Sequence, residues 1–127
     1  MKGIILTALL VFFNVNAAQA ACDTKSLKGS YQIAATGILN GKTCGTVGVG
    51  NFDGKGVLTT TSVDGCGGQP ANSTGTYSYN VNANCMGSAT SAATGNNYYF
   101  VFNKLLTVGS VFLSGSNMLI FGTMIKQ

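Results

Sequence analysis

The chain has 127 residues, seven of them basic and three acidic, with no histidine, arginine, glutamate or tryptophan. Without histidine there is no Ser-His or Cys-His nucleophile pair, and three isolated aspartates offer no paired acid and base of the glycosidase kind. The lysines are scattered from Lys25 to Lys126, and no arginine is present to fork onto phosphate, so nucleic acid is not an expected partner.

The first twenty residues form a unit of their own. Lys2 gives a positive start, Ile4 to Phe13 is almost unbroken apolar sequence, and Ala18-Gln19-Ala20 has the small-x-small pattern of a signal-peptidase site. The apolar run is shorter than the roughly 20 residues a spanning helix needs. Residues 1–20 are therefore predicted to be a signal peptide, and residues 21–127 a single exported domain, periplasmic or extracellular, without an integral membrane span after cleavage.

A domain of that size buries only about 60 to 70 per cent of its unfolded surface and benefits from cross-links. Cys22, Cys44, Cys66 and Cys85 all lie within it. An even count in an exported chain predicts two disulfides rather than a zinc site, because these cysteines are about twenty residues apart. Of three connectivities, Cys22 with Cys85 and Cys44 with Cys66 is favoured. The first would clamp the N-terminus to a central hairpin, and the second would tie loops near Gly45 and Gly65.

The remainder reads as strands in chain order. Leu27 to Gly37 is the first, through Tyr31 and Ile33, and Thr46 to Phe52 the second. Asp53-Gly54-Lys55-Gly56 is a turn, with Gly56 suited to a positive φ. Val57 to Val63 returns as the third strand, and a Gly-rich loop from Asp64 to Ser73 follows; Asp53 and Asp64 are both assigned to turns. In Thr74 to Asn82, Tyr77, Tyr79 and Val81 alternate with Thr76, Ser78 and Asn80, the period of two of a half-buried strand. Asn84 to Thr94 completes that hairpin. Tyr98 to Leu105, Thr107 to Leu113 and Met118 to Ile125 make eight strands in all, nearly all joined by short turns. Short consecutive connections imply antiparallel neighbours, and eight of them can close into a small up-and-down barrel without exposed edges. Glycines inside strands (Gly48, Gly50, Gly87, Gly109 and Gly122) suit the coiling that closure demands.

Candidate functional groups are few. Gly48-Val49-Gly50 precedes no helix and lacks a third glycine at dinucleotide spacing, so no nucleotide cofactor is expected, nor any other cofactor, metal site or catalytic set. Tyr31, Tyr77, Tyr79, Tyr98 and Tyr99 are the candidate ligand-lining residues, since phenols inside a barrel would hydrogen-bond a bound molecule. Tyr98 to Phe102 and Met118 to Phe121 are apolar at consecutive positions, so both faces of those strands want shelter. The outer one is a candidate surface for homo-oligomers through the C-terminal strands.

A resemblance runs through these same turns and strands. Cys22, Ser26-Leu27-Lys28-Gly29-Ser30-Tyr31, Gly50-Asn51-Phe52-Asp53-Gly54-Lys55-Gly56, Gly75-Thr76-Tyr77, Asn84-Cys85-Met86-Gly87, Phe100-Val101 and Gly122-Thr123 to Lys126-Gln127 follow one another. The order resembles a family of small exported bacterial proteins of unknown function, themselves similar to the allene oxide cyclase and dirigent type of eight-stranded, calycin-like barrel. The resemblance implies an all-β, disulfide-stapled barrel in which Cys22 pairs with Cys85, leaving Cys44 and Cys66 as an additional pair. Met86 stands where that family has threonine, and no catalytic residue of the plant cyclases aligns, so cyclase activity is not carried over. The leading expectation is a non-enzymatic barrel that binds a small apolar ligand or a protein partner. An isomerase working through a shaped apolar pocket and a surface or fibre subunit are the alternatives, and short strands without aromatic girdles argue against an outer-membrane barrel.

Overall fold

The computed structural model describes residues 21–115 and 117–127; the expected signal peptide, residues 1–20, lies outside them. Eight strands follow in order: β1 Lys28–Leu39, β2 Lys42–Asp53, β3 Val57–Gly65, β4 Ala71–Val81, β5 Met86–Ser91, β6 Asn97–Phe102, β7 Val108–Gly115 and β8 Met118–Lys126. Each pairs antiparallel with the next and β8 pairs with β1, closing an up-and-down barrel with no unpaired strand among them. The two disulfides join Cys22 to Cys85 and Cys44 to Cys66.

All eight sequence-derived strands are present, and their bounds differ where a turn was stronger than the apolar pattern. Asn40 and Gly41 both take positive φ, 49° and 76°, the two-residue hairpin turn whose twist matches its strands, so β2 starts at Lys42 rather than Thr46. β6 stops at Phe102 although Leu105 and Leu106 continue the apolar run. Asn103 Oδ1 accepts the amides of Thr107 and Val108 and folds the chain back, leaving Leu105 79 per cent exposed and driving Leu106 into the core. At the Asp53 turn the reading holds: Asp53 Oδ1 accepts from the amides of Lys55 and Val57, and those bonds, Val57 first, lower its pKa.

Register decides the inner face. Tyr31, Ile33, Ala35 and Gly37 of β1 lie beside Gly50, Gly48, Thr46 and Cys44 of β2, and the same alternation continues round the ring. Several inner positions are glycine because no Cβ fits. At Gly109 a Cβ would come within 2.6 Å of the Phe102 ring, and at Gly122 within 2.4 Å of the Ala34 carbonyl on the adjoining strand. The inner glycines thus serve ring packing as well as the strand coiling expected of them.

Candidate functional site

The two ends of the barrel differ because different residue sizes face inward at each. Phe52 is the centre of the filled end, with Tyr31 and Tyr79 edge-on at 5.2 and 5.0 Å and Phe100 and Phe102 at 6.3 Å. The N-terminal segment seals this end: Leu27 has no exposed surface, and the Cys22–Cys85 bridge is buried beneath it. The Tyr79 hydroxyl donates to the Leu27 carbonyl at 2.7 Å and accepts from the Gly54 amide at 2.8 Å, while the Tyr31 hydroxyl donates to the Leu106 carbonyl. Burial raises the pKa of both phenols.

Toward the other end the inward residues are small. Ala35, Thr46, Gly48, Thr60, Ser62 and Ser73 leave a cavity of about 260 Å³ in the half of the barrel that carries the 40–41, 66–70 and 92–96 turns. An eight-stranded barrel is just wide enough to be filled by side chains or to enclose a small space, and here one end is filled while the other leaves a cavity. Ile33, Leu39, Val111 and Ile120 give the cavity its apolar wall, and the Cys44–Cys66 bridge lies in its rim.

Several polar side chains converge on that space. Asp64 is its only charged residue. Thr46 Oγ1, directly across the β2–β3 ladder, and Ser62 Oγ, two residues back on the same face, both donate to Asp64 Oδ1, the latter at 2.9 Å. Tyr77 and Tyr98 meet edge to face at 5.5 Å across the cavity wall. The Tyr77 ring folds back over Gly75, where a Cβ would approach its hydroxyl to 2.9 Å. Burial pushes the Tyr98 phenol up to about 12, helped by the Tyr77 hydroxyl beside it and by the nearby Asp64 charge, so it stays a neutral phenol throughout the physiological range.

The five candidate tyrosines are therefore divided. Tyr77 and Tyr98 line the cavity; Tyr31 and Tyr79 hold the filled end together and do not reach it. Tyr99 is 52 per cent exposed on the outside, since one step along a strand reverses the face. Asp64 corrects the sequence reading in the opposite direction. The sequence pattern places it in a turn, yet it lies next to the end of β3 and lines the cavity. The signal was present: Leu58, Thr60, Ser62 and Asp64 alternate with Thr59, Thr61 and Val63, and the period of two places Asp64 on the face of the buried Leu58.

The outer wall is uneven. On β4 it is polar, carrying Asn72, Thr74, Thr76, Ser78 and Asn80, all exposed. On β6, β7 and β8, Tyr99, Phe112 and Phe121 are adjacent in register and all exposed, with Phe112 and Phe121 rings 5.5 Å apart. Leu119 and Ile38 extend this strip across the β8–β1 pair. Among the described residues no group of histidine, cysteine, aspartate or glutamate could hold a metal ion. No family model, curated protein or solved structure matches the chain.

Proposed function

We propose that the protein is an exported barrel that binds one small, largely apolar molecule in its open half and does not transform it. The observation that carries this reading is the cavity of about 260 Å³, apolar along its wall with Asp64, Tyr77 and Tyr98 as its polar anchors. Ligand sites are typically concave, mostly apolar and fitted with a few convergent polar groups. An apolar cavity of about 150 Å³ already admits benzene, so a single ring or a short branched chain is the fitting size. Export to the periplasm or medium belongs to the same proposal, supported by the two disulfides and by the pattern of residues 1–20. No helix among the described residues is long and apolar enough to cross a membrane, and the polar outer face of β4 disfavours a lipid-embedded barrel. Kinship with the small exported bacterial barrels is proposed on the quoted motifs, in keeping with the eight-stranded ring and the Cys22–Cys85 bridge.

The test is titration with toluene-sized apolar compounds, followed through the methyl resonances of Ile33, Ala35 and Ile120. Saturable shifts at these three, with the outer methyls of Val57 and Val63 still, are the expected outcome. Methyl signals that stay fixed at the solubility limit of every probe would overturn the reading. Recovery of a rearranged compound would replace it with the isomerase alternative. A fibre subunit is disfavoured because the closed ring offers no strand edge for a donor strand.

A second reading concerns the outer strip, which we assign to a second copy of the chain. The strip of Tyr99, Phe112, Phe121, Leu119 and Ile38 contains no charged residue, so two identical copies can face one another there without like-charge repulsion. Sedimentation is expected to show a dimer that dissociates in the Phe121→Ser variant. A monomer at hundreds of micromolar concentration would rule the dimer out.

A further inference from the structure

The charge pattern of the cavity narrows its ligand further. Resting on the binding reading above, we infer that the cavity selects a small apolar molecule carrying an ammonium group, seated with its nitrogen on Asp64 and its hydrocarbon part on the Ile33, Val111 and Ile120 wall. Asp64 is the only ionisable acid or base among the lining residues apart from the two phenols, and no lysine is among them. A half-buried carboxylate beside an apolar wall, with no counter-ion among the lining residues, attracts whatever cation can reach it. Both internal hydrogen bonds, from Thr46 and from Ser62, go to the same oxygen, Oδ1. They hold the carboxylate in one orientation and leave Oδ2 as an acceptor for a ligand N–H. Tyr77 and Tyr98 can serve the same cation, since a phenol oxygen accepts hydrogen bonds and an aromatic ring face attracts positive charge. An anionic ligand would meet a like charge with no cation to offset it.

The experiment compares three isosteric probes, benzylammonium, benzyl alcohol and benzoate, by calorimetric or NMR titration of the disulfide-bonded protein. Benzylammonium is expected to bind at least about tenfold more tightly than benzyl alcohol, the ratio expected of a charge-assisted over a neutral hydrogen bond, with benzoate weakest. In Asp64→Asn the ratio between the first two should collapse to about one, because the amide retains the shape and loses the charge. The wild-type ranking tests the inference even should that variant fold poorly. Benzyl alcohol or benzoate binding as tightly as benzylammonium would overturn the ammonium inference and leave the cavity reading standing. Failure of all three to bind at millimolar concentration would overturn both.

Discussion

Phe52→Ala should lower the unfolding free energy by about 4 kcal/mol, the upper range for emptying a buried aromatic position. Phe52 is 1 per cent exposed and is the one ring in contact distance of Tyr31, Tyr79, Phe100 and Phe102 together. The edge-to-face pairs add to simple burial, and neighbouring strands cannot collapse into the space because their register is set by the closed hydrogen-bond ring. Against the about 5 to 15 kcal/mol that holds a typical domain together, such a loss removes much of the margin. Urea unfolding of wild type and variant measures it. A difference below about 1 kcal/mol would show that the filled end is not what anchors the barrel. Phe52→Leu, which keeps most of the volume, should lose clearly less than the alanine variant.

The second large effect belongs to the Cys22–Cys85 bridge. The two cysteines are 63 residues apart, and releasing that loop stabilises the unfolded chain, lowering the protein's stability by about 4 kcal/mol in the chain-entropy account. The Cys44–Cys66 pair closes 22 residues, for about 3 kcal/mol. The bridges also differ in position. Cys22 and Cys85 are 5 and 4 per cent exposed and sit under the segment that carries Leu27 and receives the Tyr79 hydroxyl, while Cys66 is exposed at the cavity rim. Replacing Cys22 and Cys85 together by alanine should therefore lower stability more than replacing Cys44 and Cys66, and should free the N-terminal segment to exchange its amide hydrogens. Removing the rim pair should instead act on the cavity mouth, loosening residues 66–70 and weakening ligand retention with the filled end intact. Equal losses of stability for the two double variants, with no difference in N-terminal exchange, would contradict this division.

Much of this architecture was legible because strands announce themselves by a period of two. The alternation around Tyr77, Tyr79 and Val81, the Asp53-Gly54-Lys55-Gly56 turn and the short spacing between segments are local features, and they account for eight antiparallel neighbours. Strand ends were less legible. At Leu105 and Leu106 hydrophobicity argued for continuation, and a side-chain acceptor, Asn103, reversed the chain through bonds that hydropathy does not register.

By itself, the sequence determined the fold class, the presence of four cysteines for two bridges and the lack of histidine, since each follows from residue type and near-neighbour pattern, while the pairing it favoured among three was decided by the folded barrel. Only the closed barrel decided which tyrosines line the cavity and which hold the core. Tyr31, Tyr77, Tyr79 and Tyr98 all face inward, and what separates them is height along the barrel axis, fixed by the stagger of eight strands and by the N-terminal segment filling one end. The same stagger brings Asp64 beside Thr46, 18 residues away in the chain, and within electrostatic reach of Tyr98. A local pattern fixes a side chain's face, but its depth in a closed sheet depends on every other strand, and that depth is what separates a core residue from a cavity-lining one.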